Sequence, residues 1–150
     1  MSTPLKLVIT RTFNAPRELV FDCWTQDKHL ARWGGAPEAM TAVMETKQVR
    51  AGGSYRVHLD RENGERFSVA GKYLEVLRPE KLVFTHAWLD EASRPGEEML
   101  VTITFTTVGR KTRMTLTQTG FTSAASRDGH RGGWSSQMDR FKTYVNALKQ

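Results

Sequence analysis

The sequence predicts an α+β fold: a curved antiparallel sheet of about seven strands wrapped around one long C-terminal helix, with two short helices after the first strand. Three observations predict it. Apolar residues alternate at period 2 from about Thr41 to Thr119, interrupted only by short turn signals. The connections between these runs leave no room for crossover helices, so the strands must pair antiparallel. Beyond them, Trp134, Met138, Phe141, Val145 and Leu148 repeat at spacings of 4, 3, 4 and 3, which is one apolar stripe of a helix.

The elements follow in order. Leu5, Leu7 and Ile9 alternate with Lys6, Val8 and Thr10 in a first strand with one buried face. Pro16 suits the start of a helix that carries Glu18 in its first turn and Val20, Phe21 and Trp24 at helical spacing. Asp27 is a candidate N-cap for a second short helix through Leu30 and Trp33, ended by Gly34-Gly35-Ala36-Pro37. Five turn signals then separate six strands: Ala51-Gly52-Gly53, Asn63-Gly64, Arg78-Pro79-Glu80, Arg94-Pro95-Gly96 and Gly109-Arg110-Lys111. Asn63-Gly64 is expected in a type I′ turn, because both residues tolerate positive φ. The apolar phase shifts from Phe67, Val69, Gly71 and Tyr73 toward Leu74 and Val76, which predicts a bulge or a strong bend. The last helix is expected from Gly132 to Lys149. Gly129, Gly132 and Gly133 should leave any earlier turn, from Ser123, loosely joined or kinked.

Composition bounds the function. The 150 residues, 39% hydrophobic and 25% charged, suit a single domain over 1–150. The lone Cys23 excludes an internal disulfide and any multi-thiolate site, and reads as a small buried helix residue. No apolar stretch is long enough to enter a bilayer or act as a signal peptide, so a cytoplasmic location without membrane insertion is expected. The balance of 22 Lys and Arg against 16 Asp and Glu gives +6, but the charges are scattered along the chain, which predicts no specific nucleic-acid partner. The four histidines lack metal-ligand spacing, and no nucleophile elbow, phosphate loop or zinc-protease motif is present. No metal, cofactor or catalytic residue is expected, and oligomeric state is not legible.

Several stretches together carry a family resemblance: Phe13-Asn14-Ala15-Pro16-Arg17-Glu18-Leu19-Val20-Phe21, Trp24-Thr25, His29-Leu30-Ala31-Arg32-Trp33, Gly52-Gly53-Ser54-Tyr55, Pro79-Glu80-Lys81-Leu82-Val83-Phe84-Thr85 and Gly133-Trp134-Ser135. They resemble the helix-grip proteins of the START/Bet v 1-like (SRPBCC) superfamily, and more closely the branch named for the activator of heat-shock protein 90 ATPase. The resemblance implies a cavity between sheet and C-terminal helix that binds a small hydrophobic molecule. It also implies two alternatives: a chaperone-interaction module tied to the stress response, or an enzyme of cyclase or hydrolase type. Family members commonly carry a second Trp and Gly-Pro where this chain has Gly34-Gly35-Ala36-Pro37; if that aromatic helps close the cavity mouth, the resemblance implies a wider or differently shaped mouth here.

The residues favour the non-enzymatic binding reading. His86 and Gln118 interrupt faces otherwise filled by Leu82, Phe84, Trp88, Met114 and Leu116, as isolated polar groups orienting an apolar ligand would. The duller account is a core His and a core Gln, each satisfied by a neighbour. The candidate ligand contacts on strands are Phe67, Val69, Phe84, His86, Trp88 and Gln118. Those on helices are Trp33, Trp134 and Met138. Trp24 reads as plain core. Glu45 and Glu75 read as surface charge.

Overall fold

A computed structural model of the protein describes residues 5–29 and 40–148. Seven strands form one antiparallel sheet: β1 (Lys6–Phe13), β2 (Met40–Lys47), β3 (Ser54–Arg61), β4 (Arg66–Leu77), β5 (Lys81–Leu89), β6 (Met99–Val108) and β7 (Lys111–Thr119). Their order across the sheet is β1-β7-β6-β5-β4-β3-β2, so β2 to β7 form a meander and β1 adds to its last strand. Helix α1 (Arg17–Thr25) follows β1, and the C-terminal helix α2 (Ala124–Ala147) crosses the sheet. This is the helix-grip architecture. No helix among the described residues is long and apolar enough to cross a membrane.

The alternation read from sequence sets which face is buried. Leu7 and Ile9 on β1, Val101, Ile103 and Phe105 on β6, and Met114 and Leu116 on β7 all point into the core. Their neighbours Val8 and Leu100 lie on the outer face. The phase shift in β4 is a register break against β5 between Tyr73 and Glu75. Glu45 and Glu75 are exposed in ion pairs with Arg56 and Lys81.

Two local expectations fail. Asn63 keeps a negative φ and only Gly64 lies in the left-handed region, at φ +92°. The Asn63 side chain explains this, because its Oδ1 accepts from the Glu65 backbone N–H at 2.9 Å and closes an Asx-type turn. The C-terminal helix is also longer than expected. It is continuous from Ala124 through Gly129, Gly132 and Gly133, because its start is capped and tethered. Ser123 Oγ accepts from the Ser126 N–H at 3.1 Å, and the Glu97 carboxylate holds Thr122 through its N–H and hydroxyl. The second short helix shows only its residues 27–29, and the expected continuation through Leu30 and Trp33 lies outside the described residues.

Helix α2 divides the interior in two. Its C-terminal half buries Met138, Phe141 and Val145, with the Phe141 ring edge-on to Phe13 at 5.3 Å. Helix α1 seals the same end: Phe21 meets Phe105 at 5.3 Å, and Asp22 takes a bidentate pair from Arg78 at 2.8 and 2.9 Å. That end is solid. The N-terminal half of α2 stands off from β3, β4 and β5.

Candidate functional site

Between the N-terminal half of α2 and strands β2 to β5 lies a cavity of about 400 Å³, within the range of small-molecule sites. The sheet side is aromatic. Tyr55, Tyr73 and Phe84 form a triad with centroids 5.6, 5.7 and 6.0 Å apart. Tyr55 lies across Gly71, where a Cβ would fall 2.0 Å from the Thr85 carbonyl oxygen, and its hydroxyl donates to that oxygen at 2.7 Å. Gly71 therefore lets the tyrosine ring sit flat on the sheet. Burial pushes the Tyr55 phenol up and the Tyr73 phenol up to about 12, so both stay neutral.

The far wall joins sheet to helix through a chain of rings. His86 lies 5.7 Å from Trp88, 6.0 Å from Trp134 and 6.1 Å from His130. Trp88 Nε1 donates to His130 Nε2 at 2.9 Å, and His130 Nδ1 bonds the Ser126 carbonyl at 2.7 Å. An indole N–H only donates, so His130 Nε2 must be the lone-pair nitrogen and Nδ1 must carry the proton. One tautomer of His130 thus bridges β5 to α2.

His86 is different. It is 8% exposed, and its buried Nδ1 has no hydrogen-bond partner. Burial, with a smaller push from His130, lowers its pKa from 6.5 to about 3, so the ring is neutral at physiological pH. At the opposite side Lys47, its side chain 11% exposed, pairs with Asp27 at 2.5 Å and donates to the Thr25 carbonyl at the end of α1. The ammonium enters the cavity wall already neutralised.

Of the residues singled out from sequence, Val69, Phe84, His86, Trp88 and Trp134 line the cavity. Gln118 does not. It is fully buried behind the wall, where Oε1 accepts from Trp134 Nε1 at 2.7 Å and Nε2 donates to Met99 Sδ at 3.2 Å. Met138 is likewise fully buried in the solid end. Phe67 is 37% exposed under the Arg61 guanidinium, outside the lining, because it sits beside the turn between β3 and β4, at the end of the strand pair. Trp33 and the Gly34-Gly35 stretch lie outside the described residues. Trp24, expected as plain core, borders the cavity while packing on Trp134 and Phe141.

Sequence reasoning missed His130, Lys47, Tyr55 and Tyr73, and above all Gly129 and Gly133. These two glycines and Ala125 share one face of α2 and line the cavity. Their spacing of four is visible in the sequence, but there the glycines predict a loosely joined or kinked turn and not a lining face. Among the described residues no group of three or more His, Cys, Asp or Glu could hold a metal. Cys23 is buried, and burial first and Asp22 second push its thiol up to about 12, which keeps it protonated at neutral pH.

A family model described as activator of Hsp90 ATPase homolog 1-like protein matches residues 14–146. The chain belongs to this family. Solved structures place the activator-homolog fold across nearly its whole length. A crystal structure of a protein from Chromobacterium violaceum has a TM-score of 0.86 at 22% identity, over 95% of this chain and 98% of that one. A protein of the same family from Silicibacter pomeroyi gives 0.84 at 22% identity, over 93% and 96%. A solution structure from Arthrobacter aurescens gives 0.86 at 21% identity, over 98% and 89%. These TM-scores establish a shared fold. No curated protein matches in sequence.

Proposed function

We propose that this protein binds a small, mainly apolar molecule between the sheet and the N-terminal half of α2, without catalysis. The observation that carries this reading is the cavity of about 400 Å³ walled by aromatic side chains, in a molecule whose other end is packed solid. Binding is driven by removing apolar surface from water, at about 25 cal/mol per Å². Val69, Phe84, Trp88 and Trp134 supply wall area, and His86 supplies the orienting polar group. Gln118 acts from behind by fixing the Trp134 indole. An imidazole whose burial disfavours taking up a proton, and a lysine already paired with Asp27, argue against acid–base chemistry at this site.

The test is a panel of hydrophobic compounds read by tryptophan fluorescence and thermal unfolding. A ligand at 100 times its Kd should stabilise by about 2.7 kcal/mol. Gly133→Leu should fill the space and abolish the response while the protein stays folded. If no compound in a broad panel shifts the melting temperature, the binding reading fails. A chaperone-docking role on the outer surface then becomes the better account.

A further inference from the structure

Resting on the binding reading above, we propose that His86 Nε2–H is a hydrogen-bond donor held for the ligand, so the cavity selects an uncharged, flat aromatic molecule bearing a carbonyl-type acceptor. The geometry supplies each part. His86 lines the cavity, yet its Nδ1 is shut away without a partner. Nε2 is therefore the ring nitrogen that reaches the space. A proton on Nδ1 would be a buried N–H with nothing to receive it, and orphaned N–H groups are rarer than orphaned acceptors. The proton belongs on Nε2, which presents a donor.

The polar groups of the three rings that touch His86 cannot compete for that acceptor. Both nitrogens of His130 are engaged, the Trp134 indole N–H is taken by Gln118, and that of Trp88 is taken by His130. Among the described lining residues Lys47 is the only permanent charge, and Asp27 neutralises it. An acidic ligand would find no free cation and would lose its hydration. Shape follows from the helix. Gly129 and Gly133 face the cavity with no atom within 4 Å of where a Cβ would stand, opposite the rings of Tyr55, Phe84 and Trp88. Backbone on one side and aromatic faces on the other suit a planar ring system.

The experiment compares fluorenone with fluorene, which share one three-ring skeleton and differ by the carbonyl. Affinities are measured by fluorescence and calorimetry on the wild type and on His86→Phe, which keeps the wall aromatic. The fluorenone-to-fluorene affinity ratio should fall roughly three- to tenfold in the variant, the size of one neutral hydrogen bond. An unchanged ratio, with both compounds still bound, overturns this proposal and leaves the binding reading standing. If neither compound binds the wild type while other members of the broad panel do, this proposal falls and the binding reading stands; the binding reading falls only when the whole panel fails. A second readout needs no variant: nitrogen-15 spectra of labelled wild type should show His86 protonated at Nε2, with that signal moved by fluorenone and not by fluorene. A proton on Nδ1 would refute the donor assignment.

Discussion

His86 sits where burial opposes its charge, and that gives it a signature in stability. Unfolded it titrates near 6.5, and folded near 3. Below pH 6.5 the unfolded chain binds a proton that the folded one does not, so stability falls as pH drops from about 6.5 towards 3. Above 6.5 this contribution is flat. Between pH 7 and pH 5 the wild type should lose about 2 kcal/mol from this group, and His86→Phe should not. Urea melts of both proteins across that interval measure the difference; parallel curves would mean the imidazole is hydrated. Gln118 makes a separate prediction. Gln118→Leu leaves the buried Trp134 N–H without its acceptor and should cost about 1–3 kcal/mol, with a changed tryptophan emission. Both residues were visible in the sequence as polar breaks in apolar faces. Their roles were not, because alternation gives the face of a side chain but not its depth along the strand. His86 therefore lines the cavity, whereas Gln118 lies behind its wall.

At the scale of elements, strands were the more legible. Two-residue periodicity and turn chemistry are local, so the meander and even the β4 irregularity could be read directly. The start of helix α2 is less legible because intrinsic propensity penalises glycine by about 1 kcal/mol each, and three glycines in five residues suggest a loosely joined or kinked turn. The Ser123 cap, the Glu97 tether and the buried stripe further along outweigh that penalty. This makes substitutions separable. Gly132 does not line the cavity, and nothing lies within 4 Å of its absent Cβ. Gly132→Ala should therefore raise stability by up to about 1 kcal/mol and leave ligand affinity unchanged. Gly133→Ala should raise stability similarly but alter affinity, since its methyl enters the cavity. Equal affinity changes in the two variants would place the ligand elsewhere.

Across the whole molecule the two ends differ in kind. Thr112, Met114, Leu116 and Gln118 on β7 are buried, whereas β2 is an edge strand exposed along most of its length. Hydrogen exchange should follow that division. Amides of β7 bonded to β1 and β6 should open only with global unfolding, while those of β2 bonded to β3 should exchange orders of magnitude faster. Ligand addition should slow β3 to β5 and the first half of α2 more than β7. Uniform protection in both halves would contradict the division.

The space in this protein is made by what one helix leaves out. Ala125, Gly129 and Gly133 are three positions on a single face, and none takes part in the hydrogen-bonded ladders that define the sheet. Changes at those codons can enlarge, narrow or close the chamber while the strands keep their register. A lineage carrying this architecture can therefore diversify what it accommodates by small steps, each leaving a foldable protein behind it.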